Sequence, residues 1–163
     1  MEIIYEKPPI YDKVAAAFNI KDNRGVVFTY GNKLFVPGGE RIVLDKPLIK
    51  HEEVHARQQK EIGIDEWWEQ FLVDPAFRLS QELEAYREQY RAMAALPFET
   101  RAGYLNHIAG DLSGDMYGSM LTMDEAIAVI TEGIVLKRPK VGGANNARKA
   151  NKLKRQNRKR GRR

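Results

Sequence analysis

The sequence predicts an α+β fold that is mostly helical, with a small antiparallel sheet ahead of a long central helix. Three observations carry this expectation. Val26–Tyr30 and Leu34–Val36 are short β-branched and aromatic runs on either side of Gly31-Asn32, a two-residue hairpin signal. Asp45 followed by Pro47 is a helix start ahead of a long stretch with helical spacing. Further helical stretches follow it, most of them bounded by Gly or Pro.

Ile10, Val14 and Phe18 stand four apart, which predicts a short amphipathic helix over Ile10–Phe18. The hairpin comes next, and Pro37-Gly38-Gly39 stops its second strand. Arg41-Ile42-Val43-Leu44 reads as a third strand. The central helix should run from about Lys46 to Ile62 and end near Gly63. A second helical stretch surrounds Ile64 to Leu72 and carries Trp67 and Trp68, of which one should be exposed because adjacent helical residues face apart. Asp74-Pro75 opens a third helix reaching about Ala95, with Leu79, Glu82, Leu83, Tyr86, Tyr90 and Met93 along one face. Another helix lies near Thr100 to Leu112. Thr122 to Glu125 has the capping-box form and starts a last helix, ended by Gly133.

The net charge of +5 averages two unlike parts. Residues 137–163 contain thirteen Lys or Arg and no Asp or Glu, which leaves residues 1–136 with a net charge of −8. The expected organisation is one domain over 1–136 and a disordered basic tail over 137–163, since the tail has too few apolar residues to bury. There is no Cys, which excludes a disulfide scaffold, a Cys-type zinc finger and a thiol nucleophile, and fits a reducing compartment. No apolar run is long enough to span a membrane, and the acidic start has no secretory h-region. A cytoplasmic protein is the expectation.

His51-Glu52-Glu53-Val54-His55 is an HExxH sequence inside the central helix. Residues four apart lie one turn above each other, so both imidazoles point the same way and can reach one Zn²⁺. Glu52 stands where it can take a proton from water at that metal. Glu53 faces elsewhere and should be solvated. Two exposed helix histidines beside acidic partners are the plainer alternative.

A catalytic zinc takes three protein ligands and keeps one open position. The HExxHxxGxxH arrangement is absent, because positions 58 and 61 are Gln58 and Glu61. The best third ligand is Glu82, a carboxylate on an otherwise apolar helix face, where it is costly unless paired or metal-bound. His107 and Glu84 are the fallbacks. Glu82 as a boundary residue bridging to Arg78 or Arg87 is the alternative reading.

HExxH on one helix, with a Glu in the stretch Glu82-Leu83-Glu84-Ala85-Tyr86 on a later one, resembles the gluzincin zinc metallopeptidases. The run from His51 through Gln58 to Tyr86 resembles more narrowly the small metallopeptidases of phage and bacterial genomes. The resemblance covers about Val26 to Met93. It implies a zincin-like fold with zinc held by His51, His55 and Glu82, and Glu52 as general base in hydrolysis of a peptide or protein substrate. Many gluzincins place Asp or Ser-Asp after the third ligand to orient a histidine, whereas here Tyr86 stands four residues on. Tyr86 is the first candidate for a catalytic donor to a ligand or to the developing oxyanion, with a plain core role as its alternative. Tyr104 and His107 are further candidate donors on polarity alone. The resemblance also implies an edge strand, Val26–Tyr30 or Leu34–Val36, pairing with the substrate. A phage origin would put the protein in the host cytoplasm or the virion.

The tail suits polyphosphate, and binding to nucleic acid would be nonspecific and salt-dependent. A solubilising tail, a weakly membrane-attracted one and a docking arm for another acidic body are its alternatives. No apolar face supports membrane insertion. Together the parts suggest a zinc peptidase tethered to nucleic acid. The rival expectation is a nucleic-acid-binding or virion-associated protein whose zinc site is structural or vestigial.

Overall fold

A computed structural model gives the fold and describes residues 1–18, 20, 25–39 and 42–136. The basic tail therefore lies outside the described residues, as does Arg41. The described chain is mostly helical, with one small sheet: β1 (Glu2–Ile4), α1 (Tyr11–Phe18), β2 (Phe28–Tyr30), β3 (Lys33–Phe35), α2 (Lys46–Ile62), α3 (Ile64–Val73), α4 (Pro75–Ala92), α5 (Phe98–Leu112) and α6 (Met123–Thr131). Short 3-10 turns at Met93–Ala95 and Asp115–Tyr117 follow α4 and α5.

The hairpin forms where Gly31-Asn32 signals it. Gly31 has φ 62°, the left-handed region that such a turn needs. The sheet is mixed rather than antiparallel: its order is β1-β3-β2, with β1 parallel to β3 and β2 antiparallel to β3. β3 is thus the central strand and presents no free edge, so of the two strands offered for substrate pairing only β2 lies at an edge. The expected third strand is not formed over Ile42–Leu44, and Val43 is 80% exposed. β1 already fills the place beside β3, while Pro37 to Gly39 turns the chain away, with Ile42 N–H bonding back to the Gly39 carbonyl.

Local chemistry sets the helix ends. Asp45 accepts from Leu48 N–H at 2.9 Å and opens α2, and Gly63 at φ 107° ends it and lets α3 start at once. Asp74 accepts from Ala76 and Phe77 N–H to open α4, and Thr122 with Glu125 forms the capping box of α6. The α-helical part of α4 stops at Ala92, and Met93–Ala95 continues it as a tighter turn before Pro97. Each cap contributes about 1 kcal/mol.

Both tryptophans are buried, Trp67 at 1% and Trp68 at 5% exposure, which corrects the expectation that one faces water. α3 is covered on two flanks. Trp67 stacks on Phe71 with centroids 4.7 Å apart and meets His55 at 5.4 Å, while Trp68 packs edge-on against Phe71. With Met93, Ile108, Leu112 and Ile130 they form the core around α4, each such side chain contributing about 1.5–3 kcal/mol. Arg78 is buried too. Its Nε donates to the Met116 carbonyl at 2.8 Å and its Nη1 to the Phe71 carbonyl, so it ties α3 to the Asp115–Tyr117 turn across α4.

Candidate metal centre

Two faces meet at the centre of the fold. α2 turns His51, Glu52, Val54, His55, Gln58 and Gln59 inward, and α4 turns Glu82, Ala85, Tyr86 and Gln89 toward the core. Both sets follow helical spacing, so the two helices bring polar groups to one line at their contact.

His51, His55 and Glu82 converge there. Their closest atoms form a triangle: Nε2 to Nε2 3.0 Å, His51 Nε2 to Glu82 Oε2 3.3 Å, and His55 Nε2 to Glu82 Oε2 3.7 Å. A tetrahedral metal with bonds of 2.0–2.1 Å holds its ligand atoms about 3.3 Å apart. All three residues are 6% exposed. This buried group is able to hold a metal ion.

The donor chemistry fits such an ion. His55 Nδ1 lies 2.9 Å from Gln58 Oε1, and His51 Nδ1 lies 2.9 Å from Gln89 Oε1. A carbonyl oxygen only accepts, so each Nδ1 carries the proton and, in the neutral ring, each Nε2 points a bare lone pair inward. Two lone pairs and a carboxylate facing one point repel unless a cation sits among them. A proton partly answers this. Burial alone pulls His55 down, but the Glu82 carboxylate outweighs it, helped by Glu52 and Gln58, and lifts His55 to about 9. Burial pushes Glu82 up, yet the charge on His55 and hydrogen bonds from both histidines hold it well below the usual carboxylate range. A metal ion answers the same demand with three bonds.

Glu52 is 5% exposed and sits between α2 and the hairpin. The Thr29 hydroxyl on β2 donates to Glu52 Oε2 at 2.8 Å. Gln59 lashes the same hairpin to α2: its Nε2 donates to the Thr29 carbonyl and its Oε1 accepts from Gly31 N–H, both at 2.8 Å. Tyr86 packs edge-on against the His51 ring with centroids 4.6 Å apart, and its hydroxyl interacts with that of Tyr117. Burial first, and then the Glu82 charge, push the Tyr86 hydroxyl far above its ordinary range, so it stays protonated.

The other candidates lie apart from the triangle. Glu84 accepts from Gln58 Nε2 at 2.8 Å and from Arg57 at 2.7 Å, so it backs the site without entering it. His107 is 74% exposed at its side chain and pairs with Asp111 at 3.7 Å. The Tyr104 hydroxyl bonds Asp45 at the start of α2. Glu53 pairs with Lys50 on the surface. Arg78 and Arg87 spend their hydrogen bonds elsewhere, Arg87 on the Val129 and Glu132 carbonyls at the end of α6, so neither offers Glu82 the bridge considered from sequence.

Four residues at the centre carry no motif: Thr29, Gln58, Gln89 and Tyr117. Gln58 and Gln89 had a faint signal, three residues after His55 and seven after Glu82 on the same helix faces. Thr29 and Tyr117 reach the centre only through the tertiary fold. No family model matches the chain, nor does any curated protein or solved structure, so the reading of this centre rests on its own geometry.

Proposed function

We propose that the protein is a zinc metallopeptidase with a zincin-like, gluzincin-type centre, holding zinc through His51, His55 and Glu82. The observation that carries the reading is the buried triangle with Glu52 on the adjacent position of the same helix. Two imidazoles and one carboxylate suit zinc better than the hard cations, which take oxygen ligands. Three protein ligands leave a fourth position open, the pattern of catalytic rather than structural zinc.

Zinc at this centre supplies Lewis acidity, making a water more acidic and a carbonyl more electrophilic. Glu52 takes the proton of the attacking water and delivers it to the leaving amine. The Thr29 hydroxyl holds Glu52 Oε2 and leaves Oε1 to exchange the proton. Tyr86, kept protonated, has a proton to donate to the carbonyl oxygen as it becomes negative. β2 is the edge strand beside Glu52, and an extended peptide pairing there would be the substrate. Gln59 already takes the Thr29 carbonyl and Gly31 N–H, which restricts such pairing to the stretch before Thr29.

Glu52→Gln tests the chemistry. Zinc content should be unchanged, while hydrolysis of casein or a mixed fluorogenic peptide set falls by about 100- to 10,000-fold. Unchanged hydrolysis removes Glu52 from the mechanism.

A second reading is a nucleic-acid-binding or virion-associated protein in which the metal is structural. The 6% exposure of each ligand favours it, since the substrate of a catalytic zinc has to reach the metal. Full biological activity of the Glu52→Gln variant would support this reading over the first. The charge of residues 137–163 supports nonspecific nucleic-acid binding under either reading. Deleting those residues should abolish binding to a random-sequence duplex at low salt, and unchanged affinity would remove the tether.

A further inference from the structure

Gln58 is 3% exposed and fully committed. Its Oε1 meets His55 Nδ1 at 2.9 Å, and its Nε2 donates to the Gln81 carbonyl at 3.0 Å and to Glu84 Oε2 at 2.8 Å. Both of those partners only accept, so the NH₂ group must face them and the amide oxygen must face His55. The amide cannot flip while Glu84 is in place. Glu84 is in turn held through its other oxygen by Arg57 at 2.7 Å, and both of these side chains are about half exposed.

We propose that Gln58, fixed by the surface pair Glu84–Arg57, is the positioning residue that sets the tautomer and direction of His55, so that Glu84 controls metal affinity without touching the metal. The proposal rests on the reading of His51, His55 and Glu82 as metal ligands, and not on peptidase activity. An exposed ion pair contributes little to stability in itself. Here its effect is spent on orientation: it holds one amide, and that amide holds one ligand ring. Removing a partner of this kind lowers metal affinity by about 10- to 100-fold. Gln58→Leu takes away the acceptor. Glu84→Ala leaves the acceptor and the Gln81 carbonyl but removes one of the two groups that hold the amide, a smaller loss of about 3- to 10-fold. Because both act through His55, the two losses should not multiply.

The test is zinc affinity of the full chain, measured by competition with a chromophoric chelator for the wild type, Gln58→Leu, Glu84→Ala and the double variant. The double variant should bind zinc no more weakly than Gln58→Leu alone. The visible absorption of the cobalt-loaded form should shift in Gln58→Leu as His55 turns, a change that a packing role would not produce. Glu84 is half exposed, so its variant keeps the fold and the test stands even if Gln58→Leu does not fold. Wild-type affinity in Glu84→Ala, or losses that multiply in the double variant, overturns the proposal while leaving the metal centre intact. A wild type that binds no zinc overturns the metal centre and the proposal with it.

Discussion

The face shared by α2 and α4 and the rim presented by α5 divide the chain's three histidines between them. On the shared face His51 and His55 are buried, each has its Nδ1 at a glutamine carbonyl, and both Nε2 atoms meet Glu82. On the rim His107 is 74% exposed and has a single acidic neighbour one turn away. Glu82 and Glu84 repeat the contrast two residues apart on α4: one is enclosed beside two imidazoles, and the other stands at the surface beside Arg57. Residue type is therefore not what makes the centre. Burial raises the strength of each charge interaction, and the amide partners decide which nitrogen is bare.

The sharpest way to break this contrast is to remove one member from each region. Glu82→Ala leaves two buried imidazoles without their carboxylate and should destabilise the metal-free protein by about 3–5 kcal/mol in urea unfolding, besides abolishing metal binding. His107→Ala should change stability by no more than about 0.5 kcal/mol. Equal effects would mean that the buried face has no special standing.

The pH dependence separates the metal-free from the metal-loaded centre. His55 is raised from 6.5 to about 9, so its contribution is complete below 6.5 and is lost as pH rises through about 9. Glu82 is depressed from 4.5, so its contribution is present above 4.5 and is lost as pH falls toward its lowered value. The metal-free centre should thus stabilise the fold most between 4.5 and 6.5 and weaken steadily above. With zinc bound the loss above 6.5 should disappear, because the metal replaces the proton. Thermal unfolding across this range, with and without a chelator, reads both. A metal-free protein that gains stability from pH 6.5 to 9 contradicts the arrangement.

A smaller effect is expected at the hairpin. Thr29→Val removes the hydroxyl on Glu52 and should destabilise the fold by about 1–3 kcal/mol, with Thr29→Ser restoring most of it. An unaffected Thr29→Val variant would mean that the Thr29 hydroxyl does not hold Glu52.

Much of this arrangement is legible in the sequence, and the reasons are local. The spacing of His51 and His55, the Asp45 start and the Gly63 stop depend on residues within a few turns of one another, so periodicity and capping reach them. Glu82 is legible as a charge on an apolar stripe. What escapes is long-range. β1 pairs with β3 across about thirty residues, and nothing in Glu2-Ile3-Ile4 announces its parallel partner. Trp68 is buried because α3 is covered on two flanks, which helical spacing alone does not register. Thr29 and Tyr117 join the centre through hairpin and turn placement, and Gln58 and Gln89 act through amide orientation, a property of partners rather than of spacing.

Metal content tests the central claim most directly. The purified protein, and its His51→Ala, His55→Ala, Glu82→Ala and His107→Ala variants, would be dialysed against limiting zinc and analysed by mass spectrometry of the metal. About one zinc per chain is expected in the wild type and in His107→Ala, and none in the other three. Zinc retained without Glu82, or none in the wild type, would contradict the account.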